Sequence, residues 1–141
     1  MTPEEHAAGI RSLGLPEVVV RIALEGGATV HPVLQNRADS VWAPAWSVVE
    51  RHPELVPLWS SGATAVFAAP DGTVQWWGAE YPEEPLDTYP DFAAAIRKLL
   101  TDLWELDTHD DDRTAVAELL LPTEQIEAAL VPVERSATHL N

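Results

Sequence analysis

The chain has 141 residues and a mass of 15.4 kDa, the size of one domain, and 46 % of it is apolar, enough for a buried core and too much for a disordered protein. Twenty-three acidic residues against eight basic ones leave a net charge of −15, which excludes a protein that neutralises nucleic-acid phosphates and disfavours docking on anionic lipid. The absence of cysteine excludes disulfides, thiolate metal sites and cysteine nucleophiles.

Thr2-Pro3-Glu4-Glu5 predicts a helix start, with Thr2 as cap, Pro3 in the first helical position and Glu5 closing a capping box. The acidic start has no apolar stretch, so no secretory signal is expected, and no apolar run approaches a membrane span. A soluble, cytoplasmic protein is the expectation. Residues 16–25 carry Val18-Val19-Val20, which favours a strand, but Pro16 before them and Gly26-Gly27 after them favour a helix, and the punctuation decides for helix. Residues 28–34 read as a short edge strand, with Pro32 barring a central one. A loop over 35–45 and a short helix from Ala45 to Arg51 follow, and Leu55-Val56-Pro57-Leu58-Trp59 is extended in character.

The clearest local feature is a hairpin. Residues 63–68 and 73–77 are β-prone, and Pro70-Asp71-Gly72 between them is a turn in which proline presets φ and glycine accepts a positive one. The proline-rich acidic loop 80–86 leads to Thr88 and Asp91, which resemble a capping box, and then to the best helical pattern of the chain: Phe92, Ile96, Leu99, Leu100, Leu103 and Leu106. The run Asp107 to Asp112 breaks that pattern. Helices are expected over Arg113–Leu121 and Thr123–Leu130, each ended by a proline. Together these elements predict a single α+β domain over residues 1–133, a small mostly antiparallel sheet with helices packed around it, and a flexible tail over 134–141.

No catalytic constellation stands out. The five histidines include no helical ligand pair, and His109-Asp110-Asp111-Asp112 lacks the alternating acids and glycine of a calcium loop, so no metal and no cofactor are expected. Ser60-Ser61-Gly62 is explained by a turn, and Gly26-Gly27 is too short to cradle phosphate. The chain is therefore read as a non-enzyme.

Charge and tryptophan carry more information. Residues 1–79 hold eight acids and four bases, whereas residues 80–141 hold fifteen and four, with eleven of the acids in 80–112. That segment is either a solvated face or a docking surface for a basic partner. Of six tryptophans, Trp76 and Trp77 are adjacent in a predicted strand and must point to opposite faces. Val74 and Trp76 share one face, which suggests Trp76 inside and Trp77 outside as an interface anchor; the alternative buries Trp77 under the Pro82–Pro85 loop. Trp59 and Trp104 read as core. Trp42 and Trp46 read as a satellite of the core or, together with Trp59, as a ligand pocket.

Several short motifs between Leu55 and Trp104 carry a resemblance: Val56-Pro57-Leu58, Ser61-Gly62, Ala65-Val66-Phe67, Asp71-Gly72, Val74-Gln75-Trp76-Trp77 and Thr88-Tyr89-Pro90-Asp91-Phe92, with Leu15-Pro16 and Gly26-Gly27 upstream. In this order they resemble the SUKH superfamily, which includes yeast cell-wall-assembly regulators and bacterial immunity proteins. Gly62-Ala63-Thr64 and Thr88-Tyr89 depart from its usual Gly-Asp and Ser-Phe. The resemblance implies an α+β fold, no catalytic residues, and an immunity-type inhibitor that neutralises a nuclease- or deaminase-like toxin. On charge, the expected partner is a basic protein, with Trp77, Glu80, Glu83, Glu84 and Asp87 as its binding surface and Asp110, Asp111 and Asp112 as a second acidic edge. A small-molecule sensor built on the Trp42, Trp46 and Trp59 pocket is the alternative.

Overall fold

Thr2 opens the first helix through its hydroxyl, which accepts the Glu5 backbone N–H at 3.1 Å. The structure, a computed structural model, describes residues 2–37 and 43–133. Helix α1 (Pro3–Ser12) buries His6, Ala7 and Ile10, and α2 (Glu17–Glu25) buries Val19, Val20, Ile22 and Ala23. The valines accept helical backbone because burial of that face outweighs their small propensity deficit. Gly26, at φ 95°, ends α2 in a conformation that side chains resist.

The strand expected over residues 28–34 does not form. Two 3₁₀ turns, Gly27–Thr29 and Pro32–Leu34, take its place. The segment satisfies its polar groups internally instead of on a sheet: the Gly27 N–H donates to Arg37 O at 2.6 Å, and His31 Nδ1 accepts the Val33 N–H at 3.2 Å. Gly27 must be glycine, since a Cβ there would press on the Leu34 carbonyl and stand 2.8 Å from Leu34 Cβ.

Helix α3 (Ala43–Arg51) precedes four strands: β1 (Val56–Ser61), β2 (Thr64–Ala68), β3 (Val74–Gly78) and β4 (Asp87–Tyr89). They form one antiparallel sheet in the order β1-β2-β3-β4. Pro57 sits in the edge strand β1, beside an irregularity in its register, where a missing donor is tolerated. Its carbonyl accepts from Nε2 of the buried His6 at 2.6 Å. The β2–β3 turn forms as the residues dictate: Gly72 has φ 92°, and Asp71 Oδ1 accepts from the Thr73 N–H at 2.9 Å and the Thr73 hydroxyl at 2.6 Å.

Strand β4 corrects the reading of Thr88 as a helix cap. Thr88 pairs with Gln75, and Tyr89 with Val74, so these residues satisfy the second edge of β3 before Pro90 ends the extended segment. On one sheet face Ala65, Phe67 and Trp77 form a core with Leu55, Ala69 and Val48 of α3. Val66 and Trp76, paired across β2 and β3, occupy the other face.

The chain divides into two compact units, the first ending at Phe92 and the second beginning at Ala93. The second consists of α4 (Phe92–Glu105, which starts at the boundary), α5 (Asp110–Leu120) and α6 (Thr123–Leu130). Ile96, Leu99, Leu100 and Leu103 are buried at the spacing that predicts the helix, but Trp104, expected in the core, is half exposed because it falls off that stripe. Helix α5 starts at Asp110, three residues earlier than expected, capped by His109 Nδ1 accepting the Asp111 N–H. Buried Arg113 donates to Leu100 O at 2.9 Å and Leu130 O at 3.0 Å. Arg97 donates to Val131 O and Pro132 O, and the Thr101 hydroxyl accepts the Val133 N–H at 3.0 Å. At eight residues, α6 is too short to hold itself, and these side chains fix its end.

The architecture is α+β. No helix among the described residues is long and apolar enough to cross a membrane.

Two substitutions test these constraints. Gly27→Ala should destabilise the chain by about 1–3 kcal/mol in urea unfolding, the usual cost of overpacking, since two of the three opposing atoms are backbone carbonyl oxygens. Arg113→Met should cost about 3 kcal/mol, because two carbonyls lose charged donors; Arg113→Lys, which cannot reach both with one planar fork, should recover only part of that.

Candidate functional site

Pairing of Ala65 with Trp77 places the Trp77 side chain on the sheet face that α3 covers. Trp77 is 3 % exposed, so the expectation of an outward-facing Trp77 is reversed: Trp77 points in, and Trp76, on the opposite face, is partly exposed. The indole N–H of Trp77 donates to Gln75 Oε1 at 2.9 Å, and its ring meets the His52 ring at 4.7 Å between centroids, tilted by 44°. The apolar content of β3 alone misidentified the inner face, because Val74 is buried on one side and Trp77 on the other. The inward Ala65 and Phe67 of β2 carry the information that decides it.

From β3 the chain enters the acidic connection 79–86, whose backbone is held at several points. The Ala79 N–H donates to Ala63 O at 2.9 Å, the Tyr81 N–H to Gly78 O at 3.3 Å and the Leu86 N–H to Trp76 O at 2.7 Å. Pro82 O accepts from His52 Nε2 at 2.9 Å, which places the proton of a neutral imidazole on that nitrogen. Glu80, Glu83 and Glu84 are exposed along this connection, and Asp87 is exposed at the start of β4. Glu83 pairs with Arg51 at 3.2 Å, and an Asp87 carboxylate oxygen accepts the Thr88 N–H at 2.9 Å. Among the described residues, Glu80 and Glu84 have no ion-pair partner. Tyr81 and Leu86, which the sequence reading passed over, are each 52 % exposed in the same connection. Their signal was the presence of large side chains between acids and prolines, where no core periodicity explains them.

Asp110, Asp111 and Asp112 belong to the second unit. They form the first turn of α5, where carboxylates complement the helix dipole, and Asp110 lies 3.6 Å from Arg113 Nη1. Their position thus has a local cause that needs no partner.

In the first unit an open cleft of about 470 Å³ lies beside Trp77. Leu55, Ala69 and Trp77 give it apolar walls, Glu83 and Pro85 bring the acidic connection to its edge, and His52 lines it as well. The tryptophan pocket considered from sequence is not this cleft. Trp59 is buried, Trp46 is half exposed, neither lines it, and Trp42 lies outside the described residues. Among the described residues no group of three or more His, Asp or Glu could hold a metal ion.

Comparison with protein-family models, curated proteins and solved structures found no match.

Asp71, at the edge of the cleft, provides a pH test. The Thr73 hydroxyl, and next its backbone N–H, hold the carboxyl below its usual range. A carboxyl whose folded pKa is depressed contributes stability above its unfolded value, and that stability is lost as pH falls through the folded value. The difference in Tm between the native chain and Asp71→Ala should be full at neutral pH and shrink below about pH 4, the ordinary aspartate range. Melting curves across this range would show it, and a constant difference would mean that the charge contributes nothing to the turn.

Proposed function

We propose that the chain is a non-enzymatic binding protein, an immunity-type inhibitor of SUKH kind that occludes a basic, nuclease- or deaminase-like toxin in the cytoplasm. The observation that carries this reading is the ordered acidic connection 79–86. A stretch that served only for solubility would need no fixed backbone, yet this one is bonded to Ala63 in the β1–β2 turn, to β3 and to His52 just after α3. Fixing the backbone beforehand lowers the entropy lost on binding. Exposed Glu80, Glu83, Glu84 and Asp87 would steer a cationic surface towards it, and Tyr81 and Leu86 would supply the contact area that charge alone lacks. Asp110, Asp111 and Asp112 remain a second acidic edge in this proposal. The net charge of −15 suits a partner whose own substrate is anionic, since the inhibitor then presents carboxylates where phosphates would bind.

The test uses Glu80→Lys/Glu84→Lys, which reverses two carboxylates that have no ion pair among the described residues and leaves the loop anchors in place. The native chain, used as bait in lysate of its source organism, should retain one dominant basic protein as salt rises, and the variant should lose it. Expressed alone, that protein should arrest growth, and co-expression of the native chain should relieve the arrest. Association with the purified partner should be about tenfold slower or more for the variant at low salt. A diffuse set of basic proteins that all wash off, or equal retention by the variant, would overturn the proposal.

A further inference from the structure

The cleft beside Trp77 differs in chemistry from the loop that borders it. Leu55, Ala69 and Trp77, each nearly buried, form its apolar base, the partly exposed His52 and Pro85 line it as well, and its carboxylates are Glu54, Asp71 and Glu83. These three acids arrive from three separate connections, α3 to β1, β2 to β3 and β3 to β4, so they border a concavity and are not one charged stripe on a helix. Among the described residues, no lysine or arginine lines the cleft. One carboxylate at its edge already binds a guanidinium, since Arg51 Nη1 lies 3.2 Å from Glu83 Oε1, with both side chains about half exposed. Asp71 makes both of its turn bonds through Oδ1.

An apolar wall bordered by carboxylates fits a ligand that is aliphatic along its length and cationic at its end. We propose that the cleft seats one arginine side chain of the basic partner, its guanidinium at the carboxylates and its methylene stem along the partly exposed His52 and Pro85. This rests on the reading of the chain as an inhibitor of a basic protein and names the anchor of that complex. Arginine suits the cleft better than lysine: its planar fork offers several donors to carboxylates on different sides, it is less strongly hydrated, and it stacks on aromatic rings such as that of His52. The Arg51–Glu83 pair, exposed and therefore weak, is readily exchanged for the incoming side chain.

The experiment needs no partner. The intact, ¹⁵N-labelled chain is titrated with N-acetyl-arginine-N-methylamide and, separately, with the citrulline analogue, which has nearly the same shape and no charge. The indole N–H resonance of Trp77 should shift saturably with the arginine probe and respond roughly tenfold more weakly to the neutral one. In Glu54→Gln/Glu83→Gln, which keeps the size of both side chains, affinity for the arginine probe should fall roughly fivefold with melting unchanged. No shift, equal shifts with both probes, or a variant that binds as well as the native chain would overturn the proposal. Its failure is separable from failure of the inhibitor reading. A negative titration with partner capture intact removes the arginine seat alone. A positive titration with no partner captured leaves a guanidinium-binding cleft and removes the toxin.

Discussion

The register of β2 against β3 decides which way Trp77 faces, because side chains on a strand alternate between two faces and a slip by one residue would exchange them all. With Ala65 opposite Trp77, the small alanine leaves room for the indole on the face that α3 covers. The rest of the first unit's candidate site follows from that placement. The indole fixes Gln75 by hydrogen bond and meets His52 ring to ring, and His52 in turn holds the carbonyl of Pro82. A buried aromatic side chain thus sets the position of an exposed loop two contacts away. The turn at Pro70-Asp71-Gly72 keeps the register, since it fixes the number of residues between the paired strands.

Two kinds of acidic residue emerge in this chain. Those in the first turn of α5 sit where a helix N-terminus favours negative charge, and their placement is accounted for within the second unit. Those between β3 and β4 have no helix to complement. Their connection is held by backbone bonds at Ala79, Tyr81, Pro82 and Leu86, and its glutamates and apolar side chains stand outward. The same residue types in neighbouring parts of the sequence therefore have different physical causes, and only the second group lacks a local one.

The α+β fold was legible wherever the signal was local. Thr2, Pro3 and Glu5 announce α1, Gly26 ends α2, Pro70-Asp71-Gly72 marks the β2–β3 turn, and Thr123–Leu130 forms the helix expected of it. It was illegible wherever a distant partner decided. Residues 28–34 look extended until the Gly27 N–H finds the Arg37 carbonyl and the segment closes on itself. Thr88 has the chemistry of a cap but pairs with Gln75, which a reading of neighbours along the chain does not include. The candidate site was legible as composition, in its acids and its paired tryptophans, but not as geometry. Which tryptophan faces inward, and that His52 reaches the acidic loop 30 residues later, depend on the sheet register and the placement of α3.

The end of α6 shows a different economy of means. Arg97, Thr101 and Arg113 grip the carbonyls of Leu130, Val131 and Pro132 and the amide of Val133, and in every case the atom gripped belongs to the main chain. Recognition of main-chain atoms is indifferent to most side chains. The demand for particular residues is thereby moved away from the segment being held and onto the three that hold it. Sequence drift at 131 and 133 is tolerable there so long as the backbone keeps its path, whereas 97, 101 and 113 have little freedom to change. A chain poor in cations commits two of its eight to this internal task. Its outward-facing surface is left correspondingly short of positive side chains.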